Sequence, residues 1–296
     1  MNHIPDDFKM CSEPVRALWR GLADCRLCPR NCGVNRLAGQ LGYCRTGPLP
    51  VISSYGPHYG EESVLSGVSG SGTVFFTGCN MRCVYCQNFD ISHLNRGSEI
   101  PVSELVGIFL ELQDKGCHNI NLVSPTHQAA AIAVAIELAR KQGLDLPVVY
   151  NSGGYDSVET LRLLDGAVDI YMPDMKYDDA EMAKHYSDAP DYPAINQAAV
   201  KEMQRQVGNL KAVDGIAVKG LLVRHLVLPE NIAGSVNIIN FLKAQVSLKT
   251  AINIMNQYRP AGDLENLDEA LQLVPAKFDI DYLLTYAREK GLRIIN

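Results

Sequence analysis

Three cysteines within one short stretch, Cys79-Asn-Met-Arg-Cys83-Val-Tyr-Cys86, constrain this chain more than any other feature. They follow the apolar run Thr73-Val-Phe-Phe-Thr77, so they occupy a loop that leaves the end of a strand. Thiolates are soft ligands suited to zinc or to iron–sulfur clusters, and three on one loop can face a single centre without long-range folding. A structural zinc site takes four protein ligands, whereas a cubane cluster held by three leaves one iron open to another molecule.

From Thr73 onward, short β-rich runs alternate with helical patterns, the sign of parallel strands joined by crossover helices. Strands are expected over 73–77, 119–123, 146–150, 168–172, 221–228 and 250–255. Helices are expected over 129–142 and 233–242, with a third capped by Ser103 and carrying Leu105, Phe109 and Leu112 on one face. Six strand–helix units make an α/β protein with a partial, TIM-type (β/α)6 barrel, whose active site belongs on the loops after the strands. Segment 180–208 is long and polar; it fits a cover over the barrel mouth, a partner contact or an amphipathic crossover helix.

Residues 1–66 read as a cysteine-rich extension before a core of residues 67–296. Glycine and proline recur there from Gly39 to Gly60, which limits it to short elements. It holds five of the nine cysteines, and Cys25, Cys28, Cys32 and Cys44 have intervals that suit zinc, a second iron–sulfur cluster or a set of free thiols. Metal ligation is the preferred reading; Cys11 and Cys117 read as packing residues.

The 296 residues are 47% hydrophobic, ample for a buried core, and the formal charge of −6 provides no basic stripe for nucleic acid or an anionic membrane. The apolar tract 129–139 is interrupted by Glu137 and too short to span a bilayer, and the first ten residues do not resemble a secretory signal. A cytoplasmic protein is expected, consistent with cysteines used as ligands more than in disulfides.

Polar groups recur after successive strands: Ser124-Pro-Thr-His127, Asn151-Ser-Gly-Gly154, Met172-Pro-Asp-Met-Lys176 and Arg224 onward to Pro229. Taken singly, each has an ordinary explanation. Asn151 and Ser152 beside two glycines are turn formers, Ser124-Pro125 can end a strand, and Asp174 with Lys176 fits a surface ion pair. His127 reads either as a donor to a bound molecule or as a capping or solvent-facing side chain. Gln257-Tyr-Arg-Pro260 reads as pocket floor or plain strand exit.

The C-x3-C-x2-C spacing, with Tyr85 before its last cysteine, resembles the signature of the radical S-adenosylmethionine (SAM) superfamily. That resemblance implies a 4Fe–4S cluster on Cys79, Cys83 and Cys86, with SAM on the open iron and Tyr85 by the adenine. Within the superfamily, Met172-Pro-Asp-Met-Lys176 is similar to a stretch of pyruvate formate-lyase activating enzymes, and Asn151-Ser-Gly-Gly154 stands where those have Asp-Thr-Asn-Gly. Almost the whole chain resembles a short branch named after those enzymes, sharing Gly60-Glu-Glu62, Ser71 to Cys79, Cys86-Gln-Asn88 and Ser124-Pro-Thr-His127.

The resemblance implies that Asn151, Ser152 and Met172 lie near SAM and a monovalent-cation position, that Asp174 and Lys176 orient SAM or the incoming peptide backbone, that Arg224 is the family's basic strand position, and that Asn88 and Ser124 also border SAM. It implies a glycyl-radical enzyme as protein substrate and a flavodoxin- or ferredoxin-type electron donor. One departure stands out: the activating enzymes carry an acidic residue after the second strand to hold the SAM amino group, and here Ser124 and Thr126 occupy that region. A radical SAM enzyme acting on another protein, RNA or a metabolite, and a non-catalytic metal scaffold, are the alternatives.

Overall fold

A computed structural model describes residues 6–262 and 268–295. Ten strands form one sheet: β1 (Val51–His58), β2 (Ser71–Phe76), β3 (Ser98–Glu99), β4 (Ile120–Val123), β5 (Val148–Ser152), β6 (Ile170–Pro173), β7 (Lys211–Val213), β8 (Ile216–Leu226), β9 (Ala251–Met255) and β10 (Arg293–Ile294). The order is β10-β9-β8-β6-β5-β4-β2-β1-β3, with β7 paired to β8. The path from β2 through β4, β5, β6 and β8 to β9 is parallel throughout. These are the six strands expected from the sequence, arranged as a partial barrel.

The helices are α1 (Glu13–Arg20), α2 (Ser63–Ser66), α3 (Phe89–Ser92), α4 (Val102–Asp114), α5 (Ala129–Lys141), α6 (Val158–Leu163), α7 (Ala180–Ser187), α8 (Tyr192–Val207), α9 (Ser235–Phe241) and α10 (Lys277–Glu289). Helix α4 starts one residue before Ser103, after Pro101 at the cap position, so Ser103 is not the cap. Proline before the first turn presets the extended entry without needing a hydroxyl partner. Helix α5 is buried along almost its whole length. Its run of alanines lets α1 approach on the outer side while the sheet covers the inner one, and Ser12 Oγ donates to Glu137 at 2.7 Å where the two meet.

Segment 180–208 forms two helices, not a single crossover helix. Tyr192 Oη donates to the carbonyls of Gly153 and Asp174 at 2.9 and 3.0 Å, and Asn196 Nδ2 donates to those of Gly154 and Asp174, each at 2.9 Å. Helix α8 therefore ties the carboxyl ends of β5 and β6 to each other. Gly154 makes this approach feasible: its φ is +74°, and a Cβ there would lie 2.1 Å from the Asp174 carbonyl.

Residues before the first parallel strand are built into the barrel. Strand β1 runs antiparallel to β2, and α2 enters the space the curved sheet encloses. Leu65 of α2 is fully buried with Val149, Ile170, Met172, Leu222 and Ala251, which come from four different strands. Asn119 Nδ2 donates to the Leu65 carbonyl at 2.8 Å, and Asn253 Nδ2 to Glu62 Oε1 at 2.9 Å, so both sides of this plug are fastened. Burying one leucine contributes about 1.5–3 kcal/mol.

Candidate active site

At the carboxyl ends of the parallel strands lies a cavity of about 380 Å³. Cys79, Cys83 and Cys86 border it, carried by the loop after β2. Local bonds shape that loop: Val84 and Arg82 amides donate to the carbonyls of Tyr186 and Ser187, and the Met81 amide donates to Cys79 Sγ at 3.3 Å. Ser187 Oγ donates to Cys83 Sγ at 2.9 Å, and Ser92 Oγ stands 3.1 Å from Cys86 Sγ. Burial pushes the Cys79 thiol up to about 12 and raises Cys83 as well, with neighbouring thiols reinforcing the shift for Cys79. A metal centre that displaces those protons supplies the positive charge that burial otherwise denies to thiolates.

The other wall is an ionic network. Asp174, mostly buried, accepts from Lys176 Nζ at 2.6 Å and from Arg224 Nε at 3.0 Å, and Arg224 Nη2 also donates to Asn151 Oδ1 at 2.7 Å. Burial pushes the Asp174 carboxyl upward, but Arg224 and Lys176 outweigh it and hold the group below its ordinary range. Burial lowers Lys176 while Asp174 and Cys83 raise it, leaving it firmly cationic. These residues are an interior pair, not the surface pair that a spacing of two also allowed.

Glu61 reaches the same cavity from the turn just before α2. Its Oε2 is 3.8 Å from Arg224 Nη1, and its Oε1 is 3.6 Å from His58 Nδ1, both beyond hydrogen-bond length. Burial raises its carboxyl, with Arg224 opposing. Glu61 and Asp174 are the two carboxylates of the lining among the described residues, and Asp174 is already shared between two cations.

Of the residues expected to hold the cluster or SAM, all border this cavity except Met172. Met172 is fully buried beneath it, against Val149, Ile170 and Leu222. Tyr85 contributes part of its ring, which packs edge-on to Tyr258 and Tyr177, and its hydroxyl accepts from Tyr177 Oη at 2.7 Å. Asn88 lies exposed at the rim, ahead of α3. Ser124 takes the left-handed conformation at φ +59° as the chain leaves β4. Gln257 borders the cavity, whereas Tyr258 is buried behind Tyr85.

His127 is neither solvent-facing nor free to donate into the cavity. It is 2% exposed, and its Nε2 lies 2.8 Å from the Thr77 carbonyl. Burial holds it down at about 4, so it is neutral at pH 7.

Sequence reasoning missed two carboxylates. Glu61 sits in Gly60-Glu-Glu62, and nothing local to that stretch says that the segment turns into the barrel. Asp156, buried behind the strand ends, accepts from Thr126 Oγ1 and Ser152 Oγ at 2.7 Å each and from Tyr150 Oη at 3.3 Å. Burial raises its carboxyl and those hydroxyls partly offset the shift. Ser152, expected to face a cofactor, thus spends its proton on Asp156.

The other cysteine set lies next to the first. Cys25, Cys28, Cys32 and Cys44 border a void of about 10 Å³, and His127 belongs to the walls of both spaces. All nine cysteines are free thiols. Among the described residues no three or more His, Cys, Asp or Glu side chains are drawn into a closed ion-binding geometry, and this holds for both thiol sets. No helix of the described residues is long and apolar enough to cross a membrane.

The chain is 31% identical over 285 residues to an uncharacterized protein of Methanocaldococcus jannaschii, covering 88% of this chain and 76% of that one. It is 26% identical over 181 residues to the pyruvate formate-lyase-activating enzyme of Clostridium pasteurianum, covering 57% of this chain and 69% of the other. Among solved structures, Streptococcus suis SuiB bound to precursor peptide SuiA aligns with a TM-score of 0.49 at 10% identity, over 74% of this chain and 46% of that one. The FeFe-hydrogenase maturase HydG from Carboxydothermus hydrogenoformans aligns with a TM-score of 0.49 at 13% identity, over 73% and 50%. The chain therefore spans about half the length of these structures. The family model of the radical SAM superfamily matches residues 73–216, from β2 and the cysteine loop into β8, and the chain belongs to that superfamily.

Proposed function

We propose that this protein reductively cleaves SAM and uses the resulting radical to take a hydrogen atom from a backbone glycine of a partner enzyme. The observation that carries the first part is the placement of three thiols on one side of a cavity whose far side is a fixed ionic network. A 4Fe–4S cluster with one iron open to SAM supplies the one-electron cleavage that yields methionine and a 5′-deoxyadenosyl radical.

Cys79, Cys83 and Cys86 would hold the cluster, and the Ser187 hydroxyl on Cys83 Sγ would tune it, since hydrogen bonds to ligand sulfur shift cluster potential. Lys176 and Arg224 offer donors to the methionine carboxylate, and Asp174 keeps both cations pointed and charged. Glu61 is the carboxylate left to receive the methionine ammonium, the role for which the sequence offered no acidic residue after the second strand. Asn88, Ser124, Asn151 and Tyr85 border the remaining space, while Ser152 acts through Asp156 to hold the strand ends.

The glycyl-radical part draws support from the Clostridium pasteurianum relative and from Met172-Pro-Asp-Met-Lys176. It calls for a flavodoxin- or ferredoxin-type donor and a reducing compartment such as the cytoplasm. In this reading residues 1–66 serve the core of 67–296, and Cys25, Cys28, Cys32 and Cys44 hold a second metal. Anaerobically reconstituted, reduced protein should release 5′-deoxyadenosine from SAM. With a glycyl-radical enzyme as partner, it should also generate the doublet of a glycyl radical in electron paramagnetic resonance. Release without the doublet across active partners would remove the glycine step and leave another protein, RNA or metabolite as substrate; no release at all would leave a metal scaffold.

A further inference from the structure

We propose that Cys25, Cys28, Cys32 and Cys44 take a single zinc ion, and that this ion clamps the loop carrying Cys79, Cys83 and Cys86. The inference rests on reading those four thiols as a metal site and is independent of the SAM chemistry.

Space favours one ion over a cluster. The void among the four thiols is about 10 Å³, the room of one water-sized sphere, whereas a cubane adds four iron and four sulfide atoms. Hydrogen-bonding groups already flank two of the sulfurs: the Tyr43 amide donates to Cys32 Sγ at 3.4 Å, and Thr46 Oγ1 stands 3.2 Å from Cys44 Sγ. A fourth thiol also fits zinc, which is closed by four protein ligands in structural sites.

Charge gives the second argument. Arg36 is 2% exposed, and the partners of its guanidinium among the described residues are carbonyls, a hydroxyl and a thiol, with no carboxylate. Its guanidinium donates to the carbonyls of Gly47 and His127 and to Thr46 Oγ1, and Nη1 lies 3.8 Å from Cys25 Sγ. A buried cation without an anion is costly. A zinc ion with four thiolates keeps two negative charges, so the site supplies the anion that the arginine lacks and the arginine offsets one of the two charges.

The clamp follows from what this module touches. Arg30 Nε donates to the Asn80 carbonyl at 2.8 Å, and the Tyr43 carbonyl accepts from Arg82 Nη2 at 3.0 Å. Both guanidinium groups lie over the Tyr43 ring, 3.8 and 4.9 Å from its centre. Gly78, with φ +81°, passes so near Cys44 that a Cβ would lie 2.8 Å from its carbonyl oxygen. The segment holding the four thiols thus grips the first half of the three-cysteine loop.

The test begins with wild-type protein, reconstituted anaerobically with iron and sulfide, by metal analysis and X-ray absorption at the zinc edge. The expected result is about one zinc and about four irons per chain, with zinc bound by four sulfurs at about 2.3 Å. Iron filling both sets, absence of zinc, or nitrogen and oxygen in the zinc shell would overturn the assignment, and none of these depends on a variant folding. Arg36→Met should weaken zinc retention against a chelator about 10- to 100-fold; unchanged retention would remove the counter-charge argument. Tyr43→Ala should keep its zinc yet release iron from the other loop several-fold faster. Release at the wild-type rate would break the clamp.

Discussion

The two thiol sets are neighbours built from the same ligand, yet they are suited to opposite tasks. Cys79, Cys83 and Cys86 offer three sulfurs to an open cavity of about 380 Å³, and Cys25, Cys28, Cys32 and Cys44 offer four to a void of about 10 Å³. The surroundings differ in the same sense. Two cations and two carboxylates line the larger cavity, positioned to orient a charged molecule, whereas one buried arginine faces the smaller void. Ligand count and free space together separate a centre that can accept a further ligand from one that holds its shape.

The sharpest way to break this contrast is one thiol at a time. Cys83→Ser should lose nearly all cluster absorbance and all SAM cleavage, whereas Cys32→Ser should retain iron at the other loop; equal iron loss in both would erase the distinction. Next in size is Asp174→Asn, which leaves Lys176 buried without its anion and Arg224 with only the more distant Glu61, 3.8 Å away. We expect a loss of about 3–5 kcal/mol in urea unfolding of the metal-free chain, since this wall owes nothing to a metal; a loss below 1 kcal/mol would show that the cations find water instead.

His127, in the wall common to both spaces, should make the protein acid-sensitive. Its folded value of about 4 lies below the ordinary histidine value, so the neutral form is the one that fits. Stability is full above the unfolded value near 6.5 and falls as pH drops towards 4, by on the order of 3 kcal/mol in all. His127→Gln should flatten that part of the pH profile, measured by unfolding at fixed urea. Smallest is Glu61→Gln, expected to weaken SAM binding about 10-fold, the worth of one charge-assisted hydrogen bond. Because burial raises the Glu61 carboxyl, wild-type affinity should already decline at a pH above the ordinary glutamate range, while the variant stays level. Equilibrium dialysis from pH 5 to 8 reads both, and parallel curves would dismiss Glu61 as the ammonium site.

The barrel strands were legible because each is an apolar run buried on both faces, and the cysteine loop because its spacing is local. Most of the candidate cavity was legible too, since residues at strand ends converge once the barrel is recognised. What stayed hidden depends on contacts distant in sequence. Strand β1 contains Gly56 and Pro57 and reads as loop; it exists because β2 offers an edge. Glu61 enters the site only because Leu65 is swallowed by four strands, and Met172 leaves it because it lies two residues before Asp174 on the same face of β6, one layer deeper in the barrel. Ser103 failed as a cap for the opposite reason: a local rule gave way to a local competitor, Pro101.

The seating of Leu65 between β5, β6, β8 and β9 has a consequence for biogenesis. A ribosome makes residue 65 early and its partner Ala251 almost two hundred residues later, so the early segment waits exposed until the last parallel strand emerges. Contacts of such long sequence separation form late. Shortened chains that stop before β9 should therefore leave this leucine and its neighbours unprotected, an opening for proteases and chaperones that the finished protein no longer presents.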